Sequence, residues 1–260
     1  MKQKNNIDYA MLLDLSKNDF KVKYAGSYFG VIWAFVQPLI QVLIFWFVFE
    51  VGFKSGPVNG YPYVLWLLAG IIPWFFFQEA WTNVTYTFIE YSFLVKKIVF
   101  NIDILPLVKI ISSTYVHLFF IAVTILIYIL NGFYPDVYYV QIPYYFLCTF
   151  ILVMSLGYLS SALIIFFRDL GQVVNILLQV GVWLTAIMWN INLIPPQYQW
   201  LLKLNPLFYI VDGYRNTFIN KIWFFEQFGY FIYFWCVLFI LLLGCRTVYQ
   251  KLKPHFSDVL

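Results

Sequence analysis

Inside the apolar part of this chain the two costliest side chains are Glu79 and His117, and each needs a partner wherever it sits. A lone histidine without a chain of carboxylates is not a proton relay, so His117 reads as a packing residue, and Glu79 lies close enough to the end of its stretch to be solvated. Around them run three stripes of amide, hydroxyl and ring side chains at helical spacing: Trp33, Gln37 and Gln41; Ser113, His117, Thr124 and Tyr128; Gln172, Asn175, Gln179 and Trp183. A polar stripe avoids lipid, either by bonding helix to helix or by lining a hydrophilic path, and three in one small chain favour a path. Covalent chemistry is not in view. No Gly-x-x-x-x-Gly-Lys-Ser/Thr phosphate loop, His-Glu-x-x-His pair or Gly-x-Ser-x-Gly elbow occurs. Cys148, Cys236 and Cys245 fall in or at the end of apolar stretches at unrelated spacings, which suits free buried thiols, not a metal set or a disulfide framework. No catalytic, cofactor-binding or metal-ligating residue is therefore expected.

The elements that position these residues must live in lipid. With 63% hydrophobic and 11% charged residues, a soluble fold of 260 residues could not hide its apolar surface. Apolar stretches at 31–51, 63–81, 105–130, 143–167, 173–191 and 224–244 are each near the ~20 residues that a crossing helix needs. Continuous apolar runs such as 42–49 exclude the alternation of a barrel. The predicted fold class is all-α integral membrane, with six transmembrane helices. Twelve of the sixteen Lys and Arg residues fall on one side of that arrangement, so both termini are expected in the cytoplasm, with the protein multi-pass in the plasma membrane. The net charge of +4 then reads as topology and contact with anionic membrane lipids, with no nucleic-acid partner. The amino terminus lacks a short apolar core with a cleavage site and is expected to be retained.

Residues 8–23 read as an amphipathic interface helix, with Met11, Leu12, Leu15 and Val22 on one arc and Asp14, Lys17, Asn18 and Lys21 on another. Pro38 and Pro73 should kink their helices. The stretch before the last span holds two apolar pieces, each too short to cross, parted by Asn205 and Pro206. It predicts two re-entrant helices over 195–222, with Asn205, Pro206, Asp212 and Arg215 at an outer gate and the polar groups serving the broken backbone.

Several runs carry a resemblance. Lys21-Val22-Lys23-Tyr24, Gly30-Val31-Ile32-Trp33-Ala34-Phe35-Val36-Gln37-Pro38-Leu39, Gly70-Ile71-Ile72-Pro73-Trp74-Phe75-Phe76, Phe167-Arg168-Asp169-Leu170 and Leu204-Asn205-Pro206-Leu207, continuing to Val211-Asp212-Gly213-Tyr214-Arg215, resemble the permease subunits of type 2 ABC exporters. Trp46-Phe47-Val48-Phe49, Trp66-Leu67-Leu68 and Leu252-Lys253-Pro254-His255-Phe256 are similar to the wall teichoic acid branch of the polysaccharide exporters. The resemblance implies a homodimer of six-helix permeases, bound to two ABC ATPase subunits that hold the ATP and Mg and do the hydrolysis, so that this chain is a transport subunit and not an enzyme. The implied substrate is wall teichoic acid or a related polyprenyl-diphosphate-linked glycopolymer for the cell wall. An O-antigen or capsular polysaccharide is the alternative, followed by a small molecule, and a channel stands outside the class. One transmembrane domain fills 1–260: a cytoplasmic interface helix in 1–29, five spans over 30–191, an extracellular re-entrant segment at 192–223, a sixth span at 224–247 and a cytoplasmic tail at 248–260. Phe93, Leu94, Lys96 and Lys97 are expected to couple to the ATPase, Lys21, Lys23 and Arg168 to receive the lipid diphosphate, and Trp33, Gln37, Gln41, Trp74, Gln179 and Trp183 to line the path. An aromatic fraction of 23% exceeds what interface belts need and suits sugar faces.

Overall fold

The computed structural model describes residues 9–96 and 101–260. Helix α1, Tyr9–Lys23, precedes α2, Trp33–Trp46, which continues through a π turn at Phe47–Gly52. Then follow α3, Tyr63–Thr85, the short α4, Thr87–Glu90, and α5, Ser92–Val95. Two long helices come next, α6, Leu105–Leu130, and α7, Ile142–Phe166, and then α8, Leu170–Leu184. The chain ends with α9, Pro196–Lys203, α10, Pro206–Arg215, α11, Phe228–Leu252, and the single turn α12, Phe256–Val259. Among the described residues there is no β-strand beyond one isolated bridge, Val58 to Tyr61.

Helix α3 is the axis of the bundle. Most of its residues are buried, because α6, α7 and α10 pack around it. Contact is close where side chains are small: a Cβ on Gly157 of α7 would stand 2.5 Å from Val84 Cγ1 of α3, so the two helices could not approach as they do with any larger residue there. Both α2 and α11 bury few residues, and large apolar side chains such as Leu43, Phe47, Phe239 and Ile240 face outward, as lipid-facing helices require.

Among the described residues five helical segments are long and apolar enough to cross a bilayer: Gly30–Gly52, Tyr63–Thr85, Ile102–Leu130, Val137–Phe166 and Phe228–Val259. The fifth expected stretch, 173–191, is a finding of a different kind. Its helix starts three residues earlier and stops at Leu184, and its 15 residues rise only about 22 Å. Thr185 N and Oγ1 still reach the Gly181 carbonyl, at 2.9 and 2.7 Å, and the chain then leaves the helix through a left-handed Ala186 at φ +50°. Apolar composition runs past that turn, so composition alone could not mark it. The last span likewise begins at Phe228, four residues later than expected, and α2 and α3 run through Pro38 and Pro73 as continuous helices.

Contacts place the basic segments at one end of the bundle. There α1 meets the start of α6, α4 meets α7, and the tail meets the end of α7. At the other end Asn59 donates to Asn220 at 2.8 Å, and Lys221 pairs with Asp136 at 2.7 Å. The arc expected to be apolar in α1 divides: Leu12 and Leu15 pack against Ile104 and Val108, but Met11 and Val22 are exposed, while Ser16 and Asp19 are buried. The buried face is thus Leu12, Ser16, Asp19, chosen by an ion pair across to α6 rather than by hydrophobicity. Cys148 and Cys245 are buried free thiols, whereas Cys236, expected to be buried as well, is exposed on α11.

Candidate functional site

Three helices that carry polar stripes meet around one cavity of about 730 Å³, bounded by the end of α1, by α2, α3 and α6, and by α8. Trp33, Gln37 and Gln41 border it from α2, Trp74 from α3 and Gln179 from α8. Trp183 does not: it is 57% exposed on another face of α8, and its carbonyl accepts from Trp189 Nε1. The stripe on α6 is split by packing. His117 borders the cavity, but Tyr128 is turned into the bundle, where its hydroxyl donates to the Leu65 carbonyl at 2.8 Å, and Ser113 accepts from Asn83. His117 Nε2 lies 3.1 Å from the Tyr214 hydroxyl and its ring stacks on Phe76 and Phe146, while its buried Nδ1 has no partner among the described residues.

Chemically the cavity is a set of neutral hydrogen-bonding side chains between aromatic faces. Gln37, Gln172 and Gln179 are exposed at helix positions where lipid would penalise their amides, and Gln78, also exposed, accepts from Trp74 Nε1 at 3.0 Å. Its only charged residues among those described are Lys23 and Glu79, whose Nζ and Oε1 are 2.7 Å apart. Burial pulls the Lys23 ammonium down, and the Glu79 carboxylate and its hydrogen bond more than restore it, so the group stands above the ordinary lysine value. Lys21 and Arg168 are exposed and lie outside the lining, and Arg168 forms no ion pair with Asp169 among the described residues.

A second constellation ties the basic end together. Asp19 of α1 accepts from Lys109 of α6 at 2.7 Å and from the Tyr91 hydroxyl at 2.6 Å, and Lys109 also holds Glu90 at 2.5 Å. Burial, then the bond to Asp19, raise the Tyr91 phenol well above its usual value. Asp103 accepts from Tyr249 at 2.8 Å and pairs with Lys253 at 2.6 Å, which fixes the tail. Over this base Phe93 is 57% exposed and Lys96 is exposed, but Leu94 packs inward against the cluster of Phe88, Leu105 and Phe256. Lys97 lies outside the described residues.

The four residues expected at the outer gate do different things. Asn205 caps α10 by accepting from Leu207 N at 3.0 Å and donates to Thr185 Oγ1 at 2.9 Å, with Pro206 in the first helical position. Asp212 holds Asn216 at 3.2 Å. Arg215 is buried: it donates to the carbonyls of Ala186 at 3.0 Å and Ile187 at 2.7 Å, and stacks 3.6 Å over the Trp66 ring. Gly70 makes room for it, because a Cβ there would lie 2.8 Å from a guanidinium nitrogen.

Residues 12–219 match the ABC-2 type transporter family, which is most of the chain. The chain belongs to that family. It is similar to the O-antigen export system permease protein RfbA of Klebsiella pneumoniae, 28% identical over all of this chain and 99% of the relative. The protein of the same name from Myxococcus xanthus is 22% identical over 80% of each chain. The inner membrane transport permease YadH of Escherichia coli K12 is 24% identical over 83% of this chain and 87% of its own. The sequence alone did not pair Lys23 with Glu79 or Asp19 with Lys109. A signal existed, since Leu12, Ser16, Asp19 and Lys23 share one helical face, and a face with two opposite charges calls for partners across it.

Proposed function

We propose that this chain is the membrane-spanning permease subunit of an ATP-driven exporter that carries a polyprenyl-diphosphate-linked glycopolymer out of the cytoplasm. The observation that carries the reading is the cavity itself, where amide side chains alternate with Trp33, Trp74 and Phe75 in a chain without hydrolytic machinery. Sugars offer hydroxyls to the amides and apolar faces to the rings, so a polymer can move along such a wall without binding tightly anywhere. Exposed glutamines on α2, α3 and α8 call for a second copy to face them, which makes the working unit a homodimer, with ATP and Mg held by two partner subunits. Those subunits seat against Phe93 and Lys96, while Leu94 anchors the seat from within.

Among polymers, the relatives named for O-antigen export favour a glycan of that type. The wall teichoic acid reading rests on the short runs at 46–49, 66–68 and 252–256. In this reading α9 and α10 are re-entrant helices at the outer mouth and both termini are cytoplasmic. Copurification with the ATPase, followed by ATP turnover with each lipid-linked polymer, tests the reading. Stimulation by a lipid-linked glycan is expected, and its absence with every polyprenyl-linked glycan would overturn the proposal.

A further inference from the structure

The ion pair inside the cavity has features of a contact made to be exchanged. It joins the last residue of α1 to α3, and its side chains keep 33% and 26% of their surface exposed. The neighbouring pair of Asp19 and Lys109 keeps 6% and 10%, and is backed by Tyr91 and Glu90. Helix α1 is therefore already anchored through Asp19, with Leu12 and Leu15 packed beside it. A pair that keeps a quarter to a third of its surface exposed is not sealed in as that of Asp19 and Lys109 is, and partly exposed pairs contribute from nothing to about five-fold in an equilibrium. Its effect on what the cavity offers a ligand is larger. Among the described residues Lys23 and Glu79 are the charged groups of the lining; they cancel, and parting them bares one ammonium and one carboxylate without changing that sum.

A phosphoryl oxygen resembles a carboxylate oxygen in charge and in its reach to an ammonium, and a diphosphate brings several of them. Neutral donors stand nearby to receive whichever anion is not on the lysine, namely Gln37, Gln78, Asn83 and Asn175. We infer that Glu79 is a resident stand-in for a phosphoanion, and that an anionic head group enters the cavity by taking Lys23 from it. Resting on the export reading above, this gives that site a self-occupied state: it is closed to anions by its own carboxylate and opens only to a ligand with enough negative charge to compete. Such competition selects diphosphates over singly charged head groups, because the ligand must outbid a carboxylate already in place.

The test uses the full chain in nanodiscs of neutral lipid, with binding of undecaprenyl diphosphate followed by native mass spectrometry. Glu79→Gln keeps the shape and removes the competitor, and is expected to lower the half-saturating mole fraction about five-fold, the upper range for a partly exposed pair. Lys23→Gln is expected to raise it by at least as much, and the double variant to match Lys23→Gln. Inorganic pyrophosphate and phosphatidylglycerol serve as separate probes: the same gain with pyrophosphate assigns the site to any free phosphoanion, and a gain with the lipid diphosphate alone assigns it to the carrier head group. Unchanged or weaker binding by Glu79→Gln overturns the inference. So does a charge reversal, Lys23→Glu with Glu79→Lys, that restores both thermal stability and wild-type binding, since that is how a structural tie behaves. If polymer still stimulates ATP turnover while Glu79→Gln binds like wild type, the inference fails and the export reading stands.

Discussion

Replacing Arg215 by methionine removes the group that holds the end of α8 in place. The guanidinium meets two backbone carbonyls that no helix bond satisfies, at 3.0 and 2.7 Å, and lies 3.6 Å over Trp66. Hydrogen bonds from a charged donor contribute about 1.5–3 kcal/mol each, and a desolvated cation–π contact about 2 kcal/mol. Against this stands the cost of burying a guanidinium whose Nε has no partner, several kcal/mol, which methionine would recover. The balance is a loss of roughly 3 kcal/mol, close to that of other variants that break a buried charged network. Lysine in its place can reach one carbonyl but not both, and has no planar face for Trp66, so its loss should be intermediate. Unfolding in mixed micelles, followed by tryptophan fluorescence and circular dichroism, gives the difference directly. An Arg215→Met protein as stable as wild type, or Arg215→Lys indistinguishable from it, would refute the reasoning, because water from the cavity would then be serving Ala186 and Ile187 in the side chain's absence.

Other outcomes follow from the same geometry. Phe93→Asp should abolish copurification with the ATPase and leave unfolding unchanged, whereas Leu94→Asp should destabilise the permease itself by about 2–4 kcal/mol, since one side chain is exposed and the other is packed in the cluster of Phe88 and Phe256. Asp103→Ala frees both Tyr249 and Lys253, so amide exchange over 253–260 should rise about ten-fold or more, as expected for losing an ion pair and a hydrogen bond together. Gly157→Val should cost about 1–3 kcal/mol in micelle unfolding, through overpacking against Val84. A cysteine replacing Ser257, in a variant cleared of Cys236, should stay unlabelled by an impermeant reagent applied to intact cells; labelling would place the tail outside and overturn the topology.

How much of this was legible beforehand depends on the kind of interaction. The long helices were, because a run of some twenty apolar residues has one stable form in lipid and any crossing segment must contain one. That is why α3, α6 and α7 stand where their composition placed them, and why Asn205 and Pro206, which cap and start α10 by local chemistry, could be read as a boundary. Most of the polar wall was legible too, since Trp33, Gln37, Gln41 and Gln179 lie at helical spacing on faces that lipid would penalise. Tertiary structure alone decided which of those faces met. It turned Tyr128 into the bundle and His117 toward the cavity from one stripe, left Trp183 on the outside, and tied the turn after α8 to an arginine 29 residues beyond Ala186. It also joined Lys23 to Glu79 and Asp19 to Lys109 across gaps of 56 and 90 residues. Periodicity records which side of a helix is polar. The partner of each charge is set by how the helices pack, and that packing depends on the volumes of residues such as Gly70 and Gly157, which no pattern of hydrophobicity encodes.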